Sequence, residues 1–227
     1  MCSARGRGIG VVCDWVDVLE AATMETNGWI EIGREVMLAE AEAVSIVANG
    51  LDHRFDEAVD LLLSCTGRIV VFGLGKSGHV GRKIAATLAS TGTPSLFVHA
   101  SEAFHGDFGM ITADDVVIAI SNSGETAEVV NAVPHIKRIG AQVVAFTSRA
   151  ESSLAAASDA VLHCPVKREA DPLNVAPTNS STATLAMGDA VAVVLMTARQ
   201  FNVEGFAAFH PGGSLGRRLT EHDDRSE

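Results

Sequence analysis

The chain has 227 residues, 47% hydrophobic and 20% charged, enough apolar material for one buried core and too short for two ordinary domains. Its formal net charge of −11 excludes the broad cationic surface that nucleic acid or an anionic membrane requires, yet leaves room for a local positive spot that takes a small anion. Cys2, Cys13, Cys65 and Cys164 lie far apart with no CxxC or Cys/His ligand spacing, which argues against a disulfide framework or a structural zinc site and for ordinary thiols in a reducing compartment.

Arg5 and Arg7 precede an apolar stretch, but Asp14 and Asp17 interrupt it before a signal-peptide core forms. No later window gives 18 uninterrupted apolar residues, so a soluble, cytoplasmic protein without a membrane partner is expected. Residues 1–28 show no strong period and read as a loosely attached extension, open to disorder. The Ala, Glu and Val pattern over 31–47 predicts an amphipathic helix, and Asp52 is placed to cap a second helix across 55–63. Together they form a helical arm ahead of a sheet.

Beyond Gly67, apolar runs alternate with helical segments: RIVVFG, SGHVGRKIAATLAST, PSLFVHA, DDVVIAIS, ETAEVVNAVPHIKRIG, QVVAFTS, ESSLAAAS and AVLHCP. Runs such as Val116–Ile120 are apolar throughout, as strands covered on both faces must be. This alternation predicts an α/β fold with a doubly wound parallel sheet. The small-residue and apolar segment 178–199 predicts a buried helix, and the tail FHPGGSLGRRL, punctuated by Gly and Pro, an irregular end.

Ligands of open parallel sheets gather at the carboxyl ends of the strands. The first strand runs into Gly73-Leu74-Gly75-Lys76-Ser77-Gly78, the GxGxxG spacing of a dinucleotide fingerprint. The second strand ends in Val98, His99 and Ala100 instead of the carboxylate that a nicotinamide ribose needs. The glycines therefore fit a small phosphorylated ligand better, with Lys76 as its positive charge. After the third strand comes Ser121-Asn122-Ser123-Gly124-Glu125-Thr126, leading into a helix expected to begin near Glu125. Hydroxyls, free backbone N–H groups and a helix dipole make a cradle for a phosphate dianion. An ordinary serine N-cap is the plainer alternative.

The stretches VFGLGKSGHVGRKIAATLASTGTPSLFVHASEAFHGDFGMI, IAISNSGET, APTNSSTATLAMGDAVAV and FHPGGSLGRRL, in this order, resemble the arabinose-5-phosphate isomerases, a branch of the sugar isomerase (SIS) family. The likeness runs from about residue 30 to 219. It implies one SIS domain over 29–220 with a short tail at 221–227, a five-stranded parallel sheet flanked by helices, and a homotetramer with shared active sites. Members commonly continue into paired CBS modules, and this chain resembles the short form without them.

Carried over residue by residue, the resemblance implies Lys76, Glu128, Glu169 and His210 as catalytic. His210 would reach a neighbouring subunit's site. The substrate-binding set is Ser77, Gly92, Thr93, His99, His105, Ser121, Asn122, Ser123 and Thr126. His99 and His105, with Asp107 nearby, read either as a hydroxyl-reading cluster or as a zinc site; the resemblance makes them substrate contacts, with zinc at His99 inhibitory at most, and no cofactor is required.

The implied reaction exchanges D-arabinose 5-phosphate and D-ribulose 5-phosphate, feeding Kdo and lipopolysaccharide synthesis. It moves one proton between C1 and C2 and another between their oxygens, through an enediol or enediolate. One glutamate would act as base and the other would orient hydroxyls, with the assignment open. His210 suits ring opening or proton traffic, and Lys76 suits charge stabilisation. Two rivals stay open: an SIS isomerase for another phosphosugar, such as a hexulose 6-phosphate, and a non-catalytic sugar-phosphate sensor.

Overall fold

The computed structural model describes residues 28–210. The expected extension ahead of Gly28 and the tail beyond His210 lie outside the described residues.

Helix α1, Gly28–Asn49, and helix α2, His53–Leu63, form the predicted arm. Asp52 caps α2 as expected, its carboxylate accepting the backbone N–H of Arg54 at 3.0 Å. The Arg54 guanidinium on the same carboxylate is the main reason its pKa falls to about 2.

Five strands follow: β1 Ile69–Gly73, β2 Ser95–His99, β3 Val116–Ile120, β4 Gln142–Thr147 and β5 Ala160–His163. They form one all-parallel sheet in the order β2-β1-β3-β4-β5, with Ile69 level with both Ser95 and Val116. The crossovers are α3 Gly75–Ser90, α4 Ala100–Ala103 with a 3₁₀ turn at Asp107–Met110, α5 Ala127–Ile139 and α6 Ser153–Ala157. After β5 come α7 Asn179–Ala198 and α8 Val203–Phe209.

Side chains alternate along each strand, so every strand feeds two cores. Val71, Ile118, Val144 and Leu162 face one layer with Leu62 of α2, Ile84 and Leu88 of α3, and Met187 and Leu195 of α7. Val70, Val117, Val143 and Ala145 face the other, with Val129, Val133 and Ile136 of α5 and Leu154 of α6. β1 and β3 are buried at every position, which is why their sequences carry no polar alternation.

At the amino edge, buried Asp115 ties the strand starts together, accepting the backbone N–H groups of Arg68 at 2.7 Å and Thr112 at 2.8 Å. Helix α7 is the one described helix long and apolar enough to cross a membrane. Here its buried stripe of Ala183, Met187, Val191 and Leu195 packs in the first core.

Candidate active site at the β1/β3 crevice

With this strand order, α3 leaves β1 for one face of the sheet and α5 leaves β3 for the other. The carboxyl ends of β1 and β3 therefore part, and the fold opens a crevice there. A cavity of about 160 Å³ occupies it, lined by Lys76 and Ser77 from α3, Asn122 from the loop after β3, and Ser180, Ser181 and Thr184 from α7.

Each wall has a local cause. Gly75 takes φ +58° and lets the chain turn sharply out of β1 into α3, whose N-cap, Leu74, offers no side-chain cap. The first N–H groups of that helix are thus left to a ligand or solvent, with Lys76 beside them. The loop after β3 is braced from within. The Ser121 hydroxyl accepts the Gly124 N–H at 3.1 Å and shares a 2.8 Å hydrogen bond with the Thr126 hydroxyl, while Ser123 accepts the Glu125 N–H at 3.2 Å. Gly124, at φ +69°, admits no side chain, since a Cβ there would lie 2.0 Å from the Ser152 hydroxyl. Helix α5 begins at Ala127 with Thr126 as N-cap, two residues later than expected, because the sequence between spends itself on this turn.

The sequence-predicted residues are only partly gathered. Lys76, Ser77 and Asn122 line the crevice, and Ser121, Ser123 and Thr126 build the loop beside it. Glu128 lies exposed in the first turn of α5. Glu169 is bound up in structure. Its carboxylate accepts the Thr178 N–H at 2.9 Å and hydroxyl at 3.2 Å, the Ser180 N–H at 3.1 Å and the Ser180 hydroxyl. It therefore positions a crevice wall while lining a separate groove of about 350 Å³ between α1 and residues 165–172.

Gly92 and Thr93 are not gathered into this protomer's crevice: they precede β2 and lie at the amino edge of the sheet, the opposite end. Gly92, at φ +91°, is shaped by the Phe201 ring, which fills the space of its missing Cβ. Phe201 stacks on Phe209 at 5.6 Å, which holds the end of α8 in the same region. His210 follows, its Nδ1 2.8 Å from the Phe206 carbonyl and its ring stacked on Phe206.

His99 ends β2, its ring edge-on to Phe97 at 6.4 Å and its buried Nδ1 without a hydrogen-bond partner, as is the Thr93 hydroxyl. His105 is exposed. Among the described residues no three His, Cys, Asp or Glu side chains come together as a metal site, so within this protomer His99, His105 and Asp107 are not gathered into a three-ligand set.

The sequence reading missed Ser180, Ser181 and Thr184 as cavity-lining residues, although the small hydroxyls crowded into APTNSSTAT were the available signal. It also missed the brace behind the loop. The Glu125 carboxylate accepts the Ser153 N–H at 2.9 Å, and the Ser153 hydrogen bonds, aided by the Arg149 charge, lower its pKa.

Lys76 charge, loop N–H groups and hydroxyls around a small cavity suit a phosphorylated ligand. The SIS domain family matches residues 62–194. The chain belongs to the SIS family. It is 53% identical over 189 residues to arabinose 5-phosphate isomerase KdsD of Shigella flexneri, covering 83% of this chain and 58% of that protein. With arabinose 5-phosphate isomerase KdsD of Pseudomonas aeruginosa it shares 57% identity over 180 residues, covering 79% of this chain and 55% of that one. The chain thus spans a little over half the length of these SIS relatives. A solved structure, the Escherichia coli CFT073 protein c3406 in complex with arabinose 5-phosphate, superposes with a TM-score of 0.81 at 46% identity, covering 83% of this chain and 100% of that one.

Proposed function

We propose that this SIS chain is an aldose–ketose isomerase interconverting D-arabinose 5-phosphate and D-ribulose 5-phosphate. The observation that carries the reading is the crevice itself, a small cavity at the β1/β3 switch point where Lys76 faces the turn built by Ser121, Ser123 and Thr126. The relatives named arabinose 5-phosphate isomerase and the neighbour solved with that sugar phosphate support the choice of sugar.

In this reading the loop after β3 and the start of α5 hold the phosphate, and Lys76 stabilises the enediolate oxygen or the phosphate. A carboxylate takes the C2 proton of the aldose and returns it to C1, while a second proton passes from O2 to O1, so the atoms balance with no redox cofactor. Exposed Glu128 is better placed to be that base than Glu169, whose oxygens are engaged by Thr178 and Ser180. His210 serves a neighbouring protomer's crevice in a homotetramer, since its own α8 runs at the amino edge of the sheet. The proposed setting is the cytoplasm, with the product feeding Kdo and lipopolysaccharide synthesis.

The test is turnover of D-arabinose 5-phosphate by EDTA-treated protein. Lys76→Ala, Glu128→Gln and His210→Ala are each expected to lower kcat by about 10²-fold or more with the fold retained. Absence of turnover in the parent protein would overturn the reading, and full activity of a variant would remove that residue's role.

A further inference from the structure

Behind the loop after β3 lies the segment joining β4 to α6, which donates to two of the loop's carbonyls and to its one carboxylate. The Asn122 carbonyl accepts the Ser148 N–H at 3.0 Å, the Ser148 hydroxyl at 2.7 Å and the Thr147 hydroxyl at 3.2 Å. The Gly124 carbonyl accepts the Leu154 N–H at 3.0 Å, and the Glu125 carboxylate accepts the Ser153 N–H at 2.9 Å. All described peptide bonds are trans, and a trans peptide points its N–H opposite to its carbonyl. Anchoring the Asn122 and Gly124 carbonyls backward therefore turns the N–H groups of Ser123 and Glu125 away from that segment; the Glu125 N–H is donated to the Ser123 hydroxyl at 3.2 Å, and the Ser123 N–H is the one turned outward for an anion cradle.

Glu125 is the side-chain link in this arrangement, since the other anchors are backbone carbonyls. Its carboxylate joins the loop to the first residue of α6 from the side away from the crevice. A base or acid acting on the sugar would have to face the other way.

We infer that Glu125 is a positioning residue for phosphate binding, holding the loop 121–126 against Ser153 so that the Ser123 N–H and the loop hydroxyls stay aimed at the anion. This rests on the phosphosugar reading above, and it separates Glu125 from the chemistry assigned to Glu128 three residues on.

Three variants test it. Glu125→Ala removes the acceptor. Glu125→Gln keeps an oxygen for the Ser153 N–H but drops the charge. Ser153→Pro removes the donor at the first position of a helix, where proline fits, and Ser152, at φ −75° and ψ 163°, already has the backbone that precedes proline. The readouts are the Kd of inorganic phosphate by calorimetry, KM and kcat for D-arabinose 5-phosphate, and thermal melts.

The expected result for Glu125→Ala is a phosphate Kd and KM raised together by about tenfold, with kcat within about threefold of the parent. Ser153→Pro should match it, the double variant should be no worse than either single, and Glu125→Gln should stay near the parent. An unchanged phosphate Kd in Glu125→Ala, additive effects in the double variant, or a kcat loss shared by Glu125→Ala and Glu125→Gln would overturn the inference. If Ser153→Pro does not fold, the Ala and Gln pair decides. If phosphate binding responds as expected but no sugar is turned over, the proposed reaction fails and the brace stands.

Discussion

Cys164 shows how much a single residue's behaviour depends on what surrounds it. It is 3% exposed, and burial pushes its thiol from an ordinary value near 9 up to about 12, against a smaller opposing effect of a hydrogen bond with Thr184. The unfolded chain would ionise this thiol first, so its contribution to stability is intact below about pH 9 and is lost as pH rises toward 12. Iodoacetamide at pH 8 is expected to modify partly exposed Cys65 and spare Cys164, as read by mass spectrometry of the native protein; rapid labelling of Cys164 would contradict its burial. Cys65 and Cys164 are free thiols, as their spacing suggested, but nothing in that spacing told that Cys164 lies beside Thr184 behind the crevice wall.

The same limit governs the candidate site. The placing of Lys76, Ser121, Ser123 and Thr126 at the carboxyl ends of β1 and β3 was legible because the order of apolar runs fixes which residues follow each strand. The engagement of Glu169 was not, since its partners Thr178 and Ser180 come nine and eleven residues later across an irregular loop. That Gly92 and Thr93 lie at the amino edge followed from their place just before β2, but which protomer's crevice that edge faces is not written in one chain's sequence.

Among the elements, α3 and α7 depend on close approach at one point. Gly188 of α7 meets Ile84 of α3, and a Cβ there would lie 2.4 Å from the Ile84 side chain, which is fully buried. Gly188→Ala is accordingly expected to destabilise the fold by about 1–3 kcal/mol, by overpacking that outweighs alanine's better helix propensity. A denaturant melt with an unshifted midpoint would show that the helices can part at no cost.

All five strands were legible as apolar runs, and α7 as a long small-residue segment. α5 also held through Pro134. α4 and α8 were not anticipated. At four and seven residues they are too short to display a helical period, and their existence rests on tertiary support such as Phe201 packing on Gly92.

At the scale of the whole molecule, one protomer supplies a phosphate-sized crevice but keeps His210 at the far edge of its sheet. The proposed tetramer predicts a light-scattering mass of four times the 23.7 kDa chain. A monomer that still turns over arabinose 5-phosphate would remove the need for a neighbour's histidine.

The strand order also fixes a sequence in time. β1 lies inside the sheet between β2 and β3, and chains are synthesised from the amino end. A nascent chain can close β1 against β2 first, yet its two crevice loops cannot face each other until β3 and Thr126 have followed. Even then one side stays open, because Ser180, Ser181 and Thr184 belong to a helix that starts only after β5. The proposed anion site is thus completed late in synthesis, when nearly all of the core that supports it is already available to fold.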